Sequence, residues 1–176
     1  MSNGIRIHLV EAGKGPLVLM VHGFPESWYS WRHQLHALAD AGYRAAAIDV
    51  RGYGRSSAPA GIDEYRMTKH VADNLGAVEA LGEKSATIVG HDWGAPIAAN
   101  SALLRPDVFR ALALLSVPYS PCVWRIADSG EISNSPHTRA ARKSDWTLAR
   151  QIARYTEIPA KNIILIIGRA IARWGN

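Results

Sequence analysis

Gly90, His91, Asp92, Trp93 and Gly94 follow the apolar run Ala86, Thr87, Ile88, Val89 and precede the small residues Ala95, Pro96, Ile97, Ala98, Ala99. A strand running into Gly-x-nucleophile-x-Gly and then into a helix is a nucleophile elbow, and here the central residue is a carboxylate instead of a serine. So tight a turn strains its central residue and leaves no room for side chains two positions to either side, where Gly90 and Gly94 stand. The N-terminus of the following helix favours an anionic group at that point. A carboxylate there needs no base before it attacks carbon, and the attack forms an ester. The matching electrophile is an sp3 carbon with a leaving group, such as an epoxide or a haloalkane.

Two upstream loops repeat the arrangement of strand followed by special residues. The apolar run Leu17–Val21 ends in His22, Gly23, Phe24 and Pro25, a loop able to turn backbone N–H groups toward a site. The strand-like run 43–48 ends in Asp49, Val50, Arg51, Gly52, Tyr53, Gly54, Arg55 and Ser56. With HGFPESWYSWRHQ at 22–34, DVRGYGRSSAP at 49–59, GHDWGAPIA at 90–98 and LLRPDVFRALALLSVP at 103–118, the chain resembles the epoxide hydrolase branch of the α/β-hydrolase fold family. The resemblance is continuous from about residue 5 to about residue 120, in both spacing and order.

That resemblance implies an α/β fold, the N-terminal and truncated part of an α/β-hydrolase, with a mainly parallel sheet flanked by helices. It implies a hydrolase that opens a small apolar epoxide or related electrophile to a vicinal diol through a covalent ester on Asp92. The backbone N–H groups of Phe24 and Trp93 are then the oxyanion donors. No cofactor and no metal are called for. Haloalkane and haloacetate dehalogenases also use an aspartate elbow, so a dehalogenase is one alternative, although Phe24 and Trp93 stand where those enzymes usually carry asparagine and arginine respectively. A catalytically incomplete, truncated or frameshifted relative is the other. Family members supply two tyrosines from a helical cap and a distal histidine oriented by an acid. After Val117 this chain offers only Tyr119, Tyr155 and His137, and His137 lies in a polar stretch without strand context. Negligible turnover by the isolated chain is the resulting expectation.

The elements that must hold these loops can be read from periodicity. Residues 5–10 alternate apolar and polar as a half-exposed strand does, and Gly13 and Gly15 are expected to turn that strand back into Leu17–Val21 as an antiparallel edge hairpin. Trp31, Leu35, Leu38 and Ala39 recur at helical spacing, and Gly42 ends that helix. Val71, Leu75, Val78 and Leu81 mark the next helical face. Alternating strands and helices give a mostly parallel sheet, whose ligands bind at the carboxyl ends of the strands. His22, Asp49 and Asp92 all stand there.

Other residues receive plainer roles. His22 and His91 read as hydrogen-bonding members of their motifs, Asp49 as part of a structural loop, and His33, His36 and His70 as surface or satisfied helical residues. Trp28 and Trp31 suit either a pocket mouth or the core. No His, Cys and carboxylate cluster has metal-ligand spacing, and neither a Walker pattern nor G-x-G-x-x-G is present.

The 176 residues suffice for one domain, burying about 70% of its unfolded surface. The net charge of +5 is uneven: residues 1–120 hold 11 Lys and Arg against 11 Asp and Glu, and 121–176 hold 9 against 4. Residues 1–120 thus read as the hydrolase core, and 121–176 as a divergent basic tail that is partly disordered and packs poorly. Its scattered charges match no nucleic-acid motif. Within it, 163–167 is an apolar run suited to a strand. The stretch from Ile158 and Pro159 through Ile167 and Gly168 resembles the family strand preceding the catalytic acid, but no carboxylate follows Gly168. The single cysteine, Cys122, excludes an intramolecular disulfide. No secretory signal pattern and no apolar run of about 20 residues is present, so a cytoplasmic location with no membrane partner is expected. An unfinished sheet leaves self-association open.

Overall fold

The computed structural model describes residues 3–116 and the strand Ile163–Ile166. Among them, β1 (Leu9–Ala12), β2 (Leu17–Val21), β3 (Arg44–Ile48), β4 (Ala86–His91), β5 (Phe109–Leu115) and β6 (Ile163–Ile166) form one sheet in the order β1-β3-β2-β4-β5-β6. Every pairing is parallel except β1 with β3. Helices α1 (Arg32–Asp40), α2 (Met67–Ala80) and α3 (Gly94–Leu104) connect the strands.

The sheet is buried on both faces, which explains why β2 reads as an unbroken apolar run rather than an alternating one. Leu17, Leu19 and Val21 join Ile48, Val78, Ile97, Leu112 and Leu114 in one cluster, on the side of α2 and α3. Val18 and Met20 point the other way, to Trp31 and Leu35 beside α1. Trp31 is therefore a core residue, and half-buried Trp28 packs against the same cluster. Of the two roles left open for these tryptophans, packing is the one observed.

The expected hairpin between the first two strands does not form. β1 is an antiparallel edge strand, but its partner is β3, with Leu9 opposite Ile48 and Ala12 opposite Ala45. The link 13–16 instead passes across the start of β3 to reach β2 on its far side. Gly13 and Gly15 serve that crossing. Both have positive φ, and a Cβ would sit 2.3 Å from the Tyr43 carbonyl oxygen at Gly13 and 2.2 Å from that of Gly42 at Gly15. The glycine signal was real, but the chain it must clear is remote in sequence.

Strand β6 lies inside the stretch read as a divergent tail. It adds in parallel to β5, with Leu112 opposite Ile163 and Leu115 opposite Ile166, at the edge of the described sheet. The expectations for the rest of 121–176, and for Cys122, His137 and Tyr155, fall outside the described residues.

Register decides where chemistry can occur. Val21 pairs with both Ile48 and Gly90, and His91 with Leu115. The strands therefore end level, and the loops beginning at His22, Asp49 and Asp92 leave from one edge.

Candidate active site

Asp92 sits between β4 and α3 with φ +50°, a left-handed conformation uncommon for a residue with a side chain. Its amide still donates to the Leu115 carbonyl at 3.2 Å, and its carbonyl accepts from Ala95 at 3.0 Å. The last rung of the sheet and the first turn of the helix thus meet on one residue. Both flanking glycines are sterically required. A Cβ at Gly90 would lie 2.3 Å from the Gly94 carbonyl oxygen, and one at Gly94 only 2.2 Å from that of Val21. The buried small residues Ala95, Ala98, Ala99 and Ala102 bring α3 close to the sheet behind the elbow.

The loop after β2 closes over the carboxylate. The Phe24 N–H donates to Asp92 Oδ1 at 3.0 Å, and the Phe24–Pro25 peptide is cis. Gly23 makes the approach possible, because the three atoms nearest a Cβ there all belong to the Asp92 side chain, at 2.5 to 2.9 Å. Trp93 is in helical conformation at the N-terminus of α3. Phe24 and Trp93 are both exposed, at 68% and 54%.

His22 fixes the base of the loop. It is 1% exposed, its Nδ1 lies 2.8 Å from the Gly23 carbonyl oxygen, and its Nε2 lies 3.0 Å from the Val50 amide. An N–H can only donate, so Nε2 is the acceptor and Nδ1 carries the proton. Both nitrogens are engaged, and His22 is not available as a general base. Burial holds its pKa below the ordinary histidine value, and burial likewise lowers that of His70, helped by the neighbouring Arg51 cation. Below about pH 6.5 the unfolded chain therefore takes up protons that these folded histidines refuse. Their contribution is complete above that pH and is lost as the pH falls toward the folded values. The urea midpoint is expected to drop between about pH 7.5 and pH 5, and His22→Gln should flatten the slope. A midpoint independent of pH across this window would contradict the assignment.

Asp49, fully buried, is a structural hub. Its carboxylate accepts from the amides of Trp28 at 2.8 Å and Arg55 at 3.0 Å and contacts His8 Nδ1 at 2.8 Å, while Ser56 Oγ donates to its carbonyl at 2.6 Å. It ties His8, the residue just before β1, to the segment after β2 and to its own loop.

Two constellations escaped the reading of the sequence. Arg51, 0% exposed, pairs bidentately with Asp73 on α2 at 2.6 and 2.7 Å and also donates to the Glu64 carbonyl. The signal was a stripe of polar residues, His70, Asp73 and Asn74, on a helix face that is otherwise apolar and buried. The second is Glu26, whose Oε2 lies 3.2 Å from the Gly23 amide and 3.3 Å from His91 Nδ1. Among the described residues no group of three His, Cys, Asp or Glu side chains is placed to hold a metal ion, and no helix is long and apolar enough to cross a membrane.

Comparison with known proteins agrees with this fold. A family model described as alpha/beta hydrolase fold matches residues 16–152. An epoxide hydrolase of Caballeronia sordidicola is 54% identical over 152 residues, which are 86% of this chain and 44% of that protein. Epoxide hydrolase B of Mycobacterium tuberculosis is 51% identical over 121 residues, covering 66% and 34% of the two chains. Among solved structures, an epoxide hydrolase from an endophytic Streptomyces is 78% identical with a TM-score of 0.68, over 68% of this chain and 36% of that one. Epoxide hydrolase A of Mycobacterium thermoresistibile is 44% identical with a TM-score of 0.68, over 88% and 52%. The chain thus spans less than half the length of these curated relatives. Their names give the dehalogenase alternative no support.

Proposed function

The chain belongs to the α/β-hydrolase fold family, in its epoxide hydrolase branch, and from that footing we propose that Asp92 is the nucleophile with which it opens an epoxide. Asp92 Oδ2 carries no hydrogen bond from a described residue and is the attacking atom. As it bonds to a ring carbon, the carbon–oxygen bond of the three-membered ring breaks. The freed oxygen takes a proton from water, leaving a hydroxyalkyl ester on Asp92. Water then adds to the ester carbonyl. The oxyanion is held by the N–H groups of Phe24 and Trp93, and collapse returns the carboxylate and a vicinal diol.

The observation that carries this reading is the Phe24 N–H already resting on Oδ1 of a carboxylate held at positive φ at the end of a strand. That oxygen becomes the ester carbonyl oxygen, so one donor of the second step is in place before the first. Release is expected to be the slow half: it needs an activated water, among the described residues both nitrogens of His22 are engaged, and a general base contributes on the order of 10²- to 10⁴-fold to such a step. Incubation with styrene oxide is expected to add one epoxide mass to the chain faster than diol accumulates. Asp92→Asn, which keeps an acceptor for Phe24 and tolerates positive φ, should show no adduct. An adduct of equal yield on the asparagine variant, or neither adduct nor diol from the unaltered chain, would overturn the reading.

A further inference from the structure

The nucleophile and its hydrogen-bond donor are closed into a ring of contacts that passes through Glu26. From Asp92 Oδ1 the ring runs to the Phe24 amide at 3.0 Å and along the chain to Gly23, whose amide faces Glu26 Oε2 at 3.2 Å. The same oxygen meets His91 Nδ1 at 3.3 Å, and His91 leads back by one peptide bond to Asp92. Glu26 also donates its own amide to the Gly23 carbonyl at 3.0 Å, so both backbone groups of Gly23 are held by one residue. His91 is steadied in turn by an edge-on contact with the buried ring of Trp31, at 6.4 Å between centroids.

We propose that Glu26 is a positioning residue, which sets the distance between the Asp92 carboxylate and the Phe24 amide by tethering both sides of the elbow to one oxygen. It touches neither carboxylate nor substrate in doing so. Three observations favour positioning over simple stabilisation. The Glu26 and His91 side chains are 27% and 21% exposed, and ion pairs with that access to water add little to stability. The tether joins residues 65 apart in sequence at the carboxyl ends of the paired strands β2 and β4, the edge at which Asp92 stands. Both bonds end on Oε2, so the geometry uses one acceptor oxygen and not the full charge.

This inference rests on the reading of Asp92 as nucleophile, and its test separates the two. Capture of styrene oxide by the full chain is followed by intact mass over a range of concentrations, giving a maximal rate and a half-saturation concentration. Glu26→Ala is expected to lower the maximal rate about 10- to 100-fold, with half-saturation and thermal midpoint little changed. Glu26→Gln, which keeps one acceptor oxygen, should recover the rate to within about threefold of the unaltered chain. Exchange of the Phe24 amide with solvent, measured without any epoxide, should be about tenfold faster or more in Glu26→Ala and near normal in Glu26→Gln. If the unaltered chain captures nothing, the reading of Asp92 falls and the exchange rates still judge the tether. Unchanged capture and exchange in Glu26→Ala would overturn the proposal, as would a glutamine variant as impaired as the alanine one.

Discussion

Gly23→Ala is expected to slow capture of an epoxide at Asp92 by about 100-fold or more, well beyond its effect on stability. Gly23 does not have the positive φ that strains most side chains, so alanine meets no conformational obstacle there. The obstacle is space: the added methyl would lie 2.5 Å from Asp92 Cβ and Oδ1 and 2.9 Å from Cγ. Rotation about the Cα–Cβ bond of the half-buried Asp92 side chain moves Oδ1 and Cγ aside, but Cβ is fixed to the backbone, so the loop carrying Gly23 and the elbow must also move apart. The carboxylate's bond from the Phe24 amide is lost in the same movement. Circular dichroism should remain close to that of the unaltered chain and the thermal midpoint should fall modestly, while the capture rate falls far more. An unchanged rate would mean that the carboxylate need not occupy the place in which Phe24 holds it.

Asp73→Ala is expected to bring the largest loss of stability, about 3–5 kcal/mol, because it leaves the Arg51 guanidinium buried without its counter-ion. Its remaining partners, the carbonyls of Glu64 and Lys69 and the Glu64 carboxylate at 3.6 Å, do not replace two bonds of 2.6 and 2.7 Å. A fall in the thermal midpoint on the order of 10 °C or more is expected. Arg51→Met combined with Asp73→Ala should recover much of that loss, since the cost lies in the orphaned charge and not in the absence of the pair. A double variant as unstable as the single one would show that Asp73 acts through some other contact.

What the sequence disclosed and what it withheld divide along a physical line. Contacts made within one element were legible. Helix α1 follows from Trp31, Leu35 and Leu38, helix α2 from Val71, Leu75 and Val78, and the elbow from two glycines around Asp92. The meeting of Phe24 with Asp92, 68 residues apart, was legible only because the order of three loop motifs resembled a known family. Pairings that no local period encodes were not legible. Nothing near Gly13 or Gly15 says that the backbone to be avoided is Gly42 and Tyr43, so a crossing was read as a hairpin. Arg51 lay in a recognised loop and Asp73 on a recognised helix, yet their bond depends on how the two pack. Glu26 likewise gains its role only when β2 and β4 lie side by side.

The central claim is that the carboxylate of Asp92 is the atom group that forms the bond to carbon. Proteolysis of the chain after exposure to styrene oxide, followed by fragment sequencing in the mass spectrometer, locates that bond directly. The account predicts one epoxide mass on the fragment containing Asp92, placed on Asp92 itself and released by mild base as an ester is. Modification confined to His91, Glu26 or any other residue, with Asp92 recovered unaltered, would contradict it.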